Sequence, residues 1–367
     1  MGSGLDDVHF PSIFTSFHSR IRLLLILGAA AAALPQLSPI FIAKTNGYAC
    51  YRIPSAVQAP SGALLVFAEA RAACDDGSPL NDVVLARSAD DGATWSGPAV
   101  VFPGLGRFNY RNPTAVFSAG GALLLQFVNA THEPWHTLQM VSHDEGASWS
   151  PPIDPALGIA DSFLPGPGNS ILLSGNSPAP GRLLTCGTNF YDFMDRPAPL
   201  GARVWFSDDA GAPGSWTSPP AFFGNMSECA MAELGDGSVL LNMRNEHRIQ
   251  CHCRAQARSD DGGATWGPLA FVPDLIEPVC SAGLLELPRG GLLFSNPASL
   301  TKRVNMTVRR SMDGGLTWPD EVQIWPGGCA YSVLVPIGSS GVAAGVVFET
   351  INATGYNSIV FARVPPF

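Results

Sequence analysis

Three arginines of this chain stand beside apolar stretches with the pattern of strands: Arg52, Arg244 and Arg303. Only 14% of the residues are charged, so surface solvation is a weak explanation for arginines in such places. A guanidinium group stays charged at any working pH and can grip a carboxylate through paired hydrogen bonds. Glu228 precedes Arg244 by 16 residues, and Tyr331 follows Arg303 by 28. The arginines suit the binding of an anion. The tyrosine and the glutamate suit nucleophilic chemistry, because a phenol of pKa ~10 needs a nearby base before it can attack.

A second group of ionisable residues lies between two apolar, strand-like segments. Glu69 and Arg71 are followed closely by the acidic pair Asp75 and Asp76, just ahead of Gly77. A carboxyl group on a loop can act as a general acid and base. An acidic pair before glycine is also typical of an ordinary turn, so the residues alone leave both interpretations open.

A repeated motif, Ser-x-Asp-x-Gly-x-x-Trp, indicates which elements position these residues. Its five copies begin 54, 65, 52 and 52 residues apart, and the third contains two extra residues. A period of about 50 residues is typical of a β-propeller, each period being one four-stranded blade. We expect a structural role for each box, with Ser and Asp bonding within a turn, Gly in an unusual backbone conformation and Trp packed between blades. The copies are Ser88–Trp95, Ser142–Trp149, Ser207–Trp216, Ser259–Trp266 and Ser311–Trp318.

Composition agrees with an all-β chain rich in turns. The 39 glycines and 32 prolines separate many short apolar runs, and no long stretch has the 3.6-residue period of a helix. No linker or charge run interrupts the repeats, so one domain is predicted at residues 41–367. The net charge of −9 and the absence of a basic tract exclude nucleic acid as a partner, while a local cluster of arginines can still attract an anion.

The N-terminal region, residues 1–40, differs from the rest. Arg20 and Arg22 precede an apolar run from Leu23 to Leu34 that ends in small residues suited to cleavage. The run is shorter than the ~20 residues that span a bilayer. We expect a secretory signal peptide, with an uncleaved membrane anchor as the alternative, and hence a lysosomal or vacuolar, extracellular or membrane-associated protein. Four glycosylation sequons fit that route, at Asn129, Asn225, Asn305 and Asn352.

Eight cysteines form an even set compatible with disulfides, although the sequence selects none of the 105 connectivities. Cys251, His252 and Cys253 have the residue types of a metal site. Alternate residues of a strand share a face, so both thiols would point away from His252, which is poor for joint ligation. We therefore predict no metal.

The motifs together resemble the sialidase (neuraminidase) superfamily of six-bladed propellers, and within it the animal lysosomal branch. The resemblance covers about residues 47 to 365. It depends on the order of the motifs, since each is weak by itself. They are Tyr51-Arg52-Ile53-Pro54, the five boxes, Ser227-Glu228-Cys229, Asn242-Met243-Arg244, Cys251-His252-Cys253-Arg254, Phe294-Ser295-Asn296-Pro297 and Arg303-Val304-Asn305.

The resemblance implies specific roles. Arg52, Arg244 and Arg303 match the family's arginine triad, which holds the carboxylate on the anomeric carbon of sialic acid. Tyr331 matches the nucleophile, a neutral group that avoids the repulsion a carboxylate would meet there. Glu228 matches its base, whereas Glu233 faces the opposite side of a regular strand. No cofactor is implied, because the guanidinium groups supply the stabilising charge.

The acid/base residue and the surrounding groups also follow from the resemblance. Asp76 has the family's spacing after the arginine, but Asp75 begins an Asp-x-Gly pattern that relatives share, so both are candidates. Glu349 matches the glutamate that orients Arg52. Arg71 and Glu69 match groups near the C4 hydroxyl of the sugar. His132, Glu133 and Trp135 are candidates for contact with the acyl or glycerol groups.

The resemblance predicts a retaining exo-α-sialidase that acts on sialylated glycoproteins, glycolipids or oligosaccharides. A trans-sialidase shares every catalytic residue, and a non-catalytic propeller that binds ligands shares the boxes. The sequence leaves open the linkage, the acyl group of the sugar, the oligomeric state and a companion protein.

Overall fold

Every regular element in the described part of the chain is a β-strand. The computed structural model describes Met1 and residues 34–76, 78, 80–103, 107–131, 135–155, 163–189, 200–288, 291–338 and 340–367. The predicted signal segment, apart from its last residue, and the candidates His132 and Glu133 lie outside these residues. In this part of the chain no helix is long and apolar enough to cross a membrane.

The strands follow one another with short connections. They are β1 Ser38–Ile42, β2 Cys50–Gln58, β3 Leu64–Arg71, β4 Asn81–Ser88, β5 Ala99–Phe102, β6 Tyr110–Phe117, β7 Leu123–Asn129, β8 His136–Ser142, β9 Phe163–Pro165, β10 Gly168–Asn169, β11 Ile171–Leu172, β12 Leu183–Asn189, β13 Gly201–Ser207, β14 Trp216–Thr217, β15 Phe223–Gly224, β16 Met226–Glu233, β17 Val239–Asn245, β18 Cys253–Ser259, β19 Ala270–Ile276, β20 Gly283–Leu287, β21 Gly291–Pro297, β22 Val304–Ser311, β23 Asp320–Ile337, β24 Ala343–Asn352 and β25 Gly355–Arg363.

These strands form six antiparallel blades. Blade 1 is β2–β5, blade 2 is β6–β8 with β10 added in parallel, blade 3 is built on β12 and β13, and blade 4 is β16–β19. The remaining seven-stranded sheet has the order β1-β25-β24-β23-β22-β21-β20. Its long strand β23 pairs first with β22 and then, from Gly328 onward, with β24, so it is shared by blade 5 and blade 6. The expected six-bladed, all-β propeller is confirmed.

A separate apolar cluster fills each space between neighbouring blades. Phe67 of blade 1 packs with Phe127 of blade 2, for example, and Val66 of blade 1 is in one cluster with Val347 of blade 6. Four other clusters join blades 2 to 3, 3 to 4, 4 to 5 and 5 to 6. Because both faces of an inner strand are covered, such strands contain continuous apolar runs, for example Leu64–Ala68 in β3, whose eight residues are all buried.

The chain start is tied to the last blade. Strand β1 pairs antiparallel with β25, with Ser38 opposite Phe361. An early segment thereby supplies the outer strand of blade 6, whose other strands come from the end of the described chain. Blade 6 consequently needs residues from Ser38 onward.

The repeated boxes form the turns between the third and fourth strands of their blades, as predicted. In the first box Ser88 donates to Asp90 at 2.7 Å and accepts from the amide of Gly92 at 2.9 Å. Gly92 has a φ of 85°, and a Cβ there would come within 2.3 Å of the Phe361 ring. Trp95 packs on the same ring, with centroids 5.7 Å apart. The box therefore forms a turn and packs blade 1 against blade 6.

The boxes lie far from the ionisable residues picked out by the sequence. Along β3 and β4, Arg71 is opposite Asn81 and Leu64 is opposite Ser88. The seven residue steps from Asn81 to Ser88 correspond to ~23 Å of strand. Arg71 and the first box are thus at opposite ends of blade 1.

Candidate active site

The innermost strands of four blades carry β-bulges, and each bulge contains or adjoins a polar residue of the site. A bulge puts an extra residue into one strand and re-aims the side chains around it. Arg52, Arg111, Glu228 and Tyr331 are the residues presented in this way. The register shifts lie between Arg52 and Ser55, Arg111 and Thr114, Met226 and Cys229, and Cys329 and Ser332.

Arg111, Glu228 and Tyr331 line a cavity of about 460 Å³. That volume is in the range of small-molecule sites, which are ~300–1,000 Å³. The walls combine charged groups with apolar side chains, which are those of Ile53, Trp135 and Leu164. The lining residues are Ile53, Glu69, Arg71, Asp76, Arg111, Asn112, Trp135, Leu164, Thr188, Ser227, Glu228, Arg244, Glu246, Arg303 and Tyr331.

Tyr331, Glu228 and Arg244 form one hydrogen-bonded unit. The hydroxyl of Tyr331 donates a short hydrogen bond to Oε1 of Glu228. Nη1 of Arg244 donates to Oε2 of Glu228 at 2.6 Å and to the Tyr331 oxygen at 3.2 Å. The glutamate is placed to take the phenolic proton, and the arginine is placed to stabilise the negative charge that results.

The phenol of Tyr331 is protonated in this arrangement. Burial raises its pKa well above the ordinary value, and the negative charge of Glu228 raises it further. Arg244 and Arg303 act in the opposite direction without reversing the shift. The hydroxyl therefore keeps its proton until an acceptor removes it, which Glu228 is positioned to do.

Arg52 is held by a fully buried carboxylate. Nε of Arg52 donates to Oε1 of Glu349 at 2.7 Å, and the same oxygen accepts from the amide of Ile53 at 2.7 Å. The second oxygen of Glu349 accepts from the amide of Tyr331 at 3.2 Å. Glu349 thereby links an arginine of blade 1 to the backbone of the tyrosine of blade 6. Its orienting role stays a prediction.

Arg303 differs from Arg52, Arg71 and Arg244 in its partners. Nη1 donates to the hydroxyl of Tyr356 at 3.2 Å, and Nη2 donates to the carbonyl of Val279 at 3.0 Å. The face of the Tyr356 ring lies against Arg52, 3.6 Å from the guanidinium carbon to the ring centroid. Among the described residues no carboxylate pairs with Arg303, so its charge is available to a ligand.

The acidic loop brings Asp76, and not Asp75, into the arginine group. Oδ1 of Asp76 accepts from Nη1 of Arg71 at 2.9 Å and lies 3.4 Å from Nη1 of Arg52. Asp75 contributes only its backbone carbonyl to Arg71, at 3.0 Å, and the side chains of both aspartates are exposed. Arg71 is anchored from behind by Glu69, whose Oε2 accepts from Nε at 2.7 Å.

Asp76 is ionised in the ligand-free site. Burial opposes its charge, but the hydrogen bond from Arg71 and the charges of Arg52, Arg71 and Arg111 outweigh that effect and hold its pKa below the usual range. A carboxyl group must carry a proton to act as a general acid. In this arrangement Asp76 is therefore unsuited to that task until one of its arginine partners is engaged elsewhere.

Disulfides stabilise two parts of the site. Cys50, two residues before Arg52, is bonded to Cys74, two residues before Asp76. Cys186 of blade 3 is bonded to Cys229, the neighbour of Glu228. Cys280 and Cys329 are buried free thiols.

The third disulfide involves two of the three residues that have the types of a metal site. Cys251 and Cys253 are bonded to each other, so neither thiol is available as a ligand in this structure. His252 faces the carbonyl of Leu300, 2.9 Å from its Nδ1. Over the described ranges, no three His, Cys, Asp or Glu side chains are grouped in a way that could hold a metal ion.

Several residues of the site had no signal in the sequence. Glu246 pairs with Arg244, 2.7 Å from Oε2 to Nε, and also accepts from Ser227 at 2.6 Å. Tyr356 lies between Arg52 and Arg303. The spacing of Glu246, two residues after Arg244 and so on the same face of a strand, is the one available clue. Glu233, by contrast, is at the other end of β16, where it binds Ser174.

Comparison with known proteins supports the class that this geometry defines, a propeller with an arginine-lined cavity. A family model described as "BNR repeat-like domain" matches residues 57–342. A sialidase of Micromonospora viridifaciens is 30% identical over 335 residues, covering 81% of this chain and 50% of the relative. A sialidase of Bacteroides fragilis is 30% identical over 320 residues, covering 77% and 56%. The chain spans about half the length of these two curated relatives.

Solved structures give the same result for the fold. The Hadza microbial sialidase Hz136 matches with a TM-score of 0.76 and 25% identity, covering 90% of this chain and 68% of that one. A leech intramolecular trans-sialidase matches with a TM-score of 0.73 at 16% identity, covering 90% and 70%. This chain belongs to the BNR repeat-like family and to the sialidase superfamily. Its narrower resemblance to the animal lysosomal branch stays a prediction.

Proposed function

We propose that this chain is an exo-α-sialidase, a glycoside hydrolase that removes terminal sialic acids from glycoproteins, glycolipids or oligosaccharides. The observation that carries the proposal is the hydrogen bond from Tyr331 to Glu228 inside an arginine-lined cavity. A tyrosine paired with a carboxylate base is the nucleophile of sialidases among glycosidases. The sialidase relatives support the same activity.

The carboxylate of the sugar is assigned to Arg52, Arg244 and Arg303. Arg303 offers a guanidinium without a carboxylate partner among the described residues, whereas Arg52 and Arg244 are already paired with Glu349 and Glu228. Those pairs orient the two guanidinium planes, and a ligand carboxylate takes the donors that remain. Paired, charge-assisted hydrogen bonds then fix the anomeric carbon near Tyr331.

In the first chemical step the oxygen of Tyr331 attacks the anomeric carbon while its proton passes to Glu228. The bond from that carbon to the leaving oxygen breaks, and the leaving oxygen takes a proton from Asp76. A neutral tyrosine approaches the negatively charged sugar without the repulsion that a carboxylate nucleophile would meet. The product is an aglycone and a sugar bonded to Tyr331.

Substrate binding itself prepares Asp76 for this step. The sugar carboxylate and Asp76 compete for Arg52, so the arriving anion weakens one of the contacts that, after the hydrogen bond from Arg71, hold the pKa of Asp76 low. The carboxyl group then takes up a proton and becomes a general acid. In the second step it removes a proton from water, and the water oxygen attacks the anomeric carbon while the bond from that carbon to the Tyr331 oxygen breaks. Glu228 returns its proton to the released tyrosine oxygen.

Incubation with a 4-methylumbelliferyl sialoside, with and without lactose, tests the proposal. The hydrolase should release methylumbelliferone and free sialic acid in both arms, and Tyr331→Phe should release almost none. Transfer of sialic acid to lactose would identify a trans-sialidase. Binding of the unsaturated analogue DANA without turnover would identify a binding propeller, and neither binding nor turnover would contradict the assignment of the site.

We also propose that the protein enters the secretory route. The support is the sequence of residues 20–34 together with the sequons, two of which, Asn225 and Asn352, are exposed.

A further inference from the structure

Two buried glutamates of the site do the same structural job. Glu349 accepts from the amide of Ile53, beside Arg52, and from the Arg52 side chain. Glu69 accepts from the amide of Asn112 at 2.8 Å, beside Arg111, and from the side chain of Arg71. In each case the carboxylate holds the backbone next to a site arginine and is neutralised by a buried guanidinium.

A third pair with the same arrangement lies outside the cavity. Oε1 of Glu277 accepts from the amide of Asn245 at 2.7 Å, and its Oε2 accepts from Nη1 of Arg254 at 2.7 Å. The side chain of Arg254 is 0% exposed and that of Glu277 1%, so neither can touch a ligand. Asn245 directly follows Arg244.

Arg254 of the same pair also binds the backbone segment that contacts Arg303. Nη1 of Arg254 donates to the carbonyl of Cys280 at 2.8 Å. The preceding residue, Val279, is the one whose carbonyl accepts from Arg303. Val279 has a φ of 59°, a conformation that a β-branched residue adopts only when its surroundings impose it. The bond to Cys280 is one of the contacts that impose it.

We propose that Glu277 and Arg254 are positioning residues for Arg244 and Arg303. One oxygen of Glu277 fixes the backbone after Arg244, and Arg254 fixes the backbone after the carbonyl that binds Arg303. A buried ion pair is weak evidence for stability, because well-packed apolar residues often serve as well. Here the ion pair of Glu277 and Arg254 connects the backbone segments that hold Arg244 and Arg303, two arginines from different blades. This inference depends on the proposed function only in that its first test uses DANA, an analogue of the proposed product, as the ligand.

Glu277→Gln is the informative substitution. The two oxygens of Glu277 accept from two different donors, so glutamine must turn its NH2 group toward one of them. Glu233→Gln is the matched control, because both oxygens of Glu233 accept from Ser174, whose hydroxyl can reverse its role. Glu233 is the last residue of β16, does not line the cavity and takes no part in the proposed chemistry.

Binding of DANA should separate positioning from general destabilisation. We expect Glu277→Gln to weaken binding at least about tenfold, since a misplacement of ~1 Å can cost up to ~10²-fold. In an Arg244→Ala background the same change should weaken binding by less than about threefold, because the Arg244 side chain that Glu277 positions is already absent. Glu233→Gln should change neither value. An equal loss in both backgrounds, or unchanged binding, would overturn the inference.

Folding and ligand identity are controlled separately. If Glu277→Gln does not fold, Glu277→Gln with Arg254→Gln leaves no unpaired buried charge and replaces it in the cycle. If the wild type does not bind DANA, the proposed function fails, and a crystal structure of the variant decides the positioning instead. Arg244 should then be displaced from Glu228 and Tyr331; an unmoved Arg244 would refute the inference.

Discussion

The hydroxyl of Tyr331 donates to Glu228 although the two residues are 103 positions apart in the chain. Glu228 belongs to blade 4 and Tyr331 to blade 6, and each is presented by a bulge of its innermost strand. Arg244 bridges both groups. The pair is therefore a product of propeller closure, which brings distant strands together around one axis.

The first prediction concerns the nucleophile. A 2,3-difluoro sialic acid should trap a covalent intermediate, and peptide mapping should place the label on Tyr331. Tyr331→Phe should not be labelled, because it lacks the bond-forming oxygen. Glu228→Gln should be labelled at least about 10²-fold more slowly, since it cannot take the proton.

The same mechanism fixes the stereochemistry of the product. Two successive displacements restore the starting configuration, so proton NMR should detect the α-anomer of sialic acid first, before mutarotation. Initial release of the β-anomer would mean a single displacement by water. The assignment of Tyr331 as nucleophile would then be abandoned.

A second prediction separates Asp76 from Asp75. Asp76→Ala should slow substrates with poor leaving groups by about 10²–10⁴-fold and aryl sialosides far less, because an activated phenol leaves without protonation. Asp75→Ala should be milder, since the contact of Asp75 with Arg71 uses the backbone carbonyl. Comparing kcat/KM for sialyllactose and an aryl sialoside measures the difference. Leaving-group dependence in Asp75→Ala alone would reverse the assignment.

Local patterns predicted the blade turns and the residue types of the site. The boxes recur because the same turn closes each blade, so Ser88, Asp90 and Gly92 could be interpreted without a fold. Arg52 was found through the short motif Tyr51-Arg52-Ile53-Pro54, and in the boxes and in this motif the determining neighbours lie within a few residues of one another. Tyr331 was placed by the resemblance, 28 residues after Arg303.

Partners that are distant in the chain could not be predicted in this way. Glu277 is 32 residues from Asn245, and Tyr356 is 53 from Arg303; only the folded structure brings each pair together. The disulfide pairs were likewise beyond the sequence, since spacing selects none of the 105 pairings. The rule that alternate residues of a strand share a face does not hold at the bulges, because an extra residue changes which side chains share a face.

A third prediction concerns the arginine without a carboxylate partner in the described residues. Arg303→Lys keeps the charge but loses the planar fork, so the binding of DANA should weaken strongly, by about tenfold or more. Arg182→Lys is a control, because Arg182 pairs with Asp208 on the surface. Calorimetric titration measures both variants. DANA binding by Arg303→Lys at the wild-type affinity would remove this arginine from the site.

Processing of the chain is the subject of a fourth prediction. We expect the mature N-terminus between about residue 32 and Ser38, because cleavage beyond Ser38 would shorten the strand that completes blade 6. Glycans should be found at the exposed Asn225 and Asn352. Intact-mass analysis and glycopeptide mapping of protein from a eukaryotic secretory host check both points. A full-length, unglycosylated product would contradict the secretory proposal.

The last prediction follows from the lowered pKa of Asp76. The acid must be protonated, so activity on poor leaving groups should fall as pH rises through the pKa of this group. In the free enzyme Arg71 and Arg52 hold that pKa low. In the complex we expect the sugar carboxylate to engage Arg52 and the pKa to rise. The falling limb of kcat/KM, which reports the free enzyme, should therefore lie at lower pH than that of kcat.

Arg71→Gln tests the cause of this difference. Removing a cation that donates to Asp76 raises the pKa of the carboxyl group, so the falling limb of kcat/KM should move to higher pH by about one unit or more. Arg111→Gln should move it less, because Nη2 of Arg111 donates to the backbone carbonyl of Asp76 and not to the carboxylate. Both variants lose some affinity for substrate, which lowers the whole profile without moving its limb. A lower profile with an unshifted limb in Arg71→Gln would mean that a group other than Asp76 provides the proton.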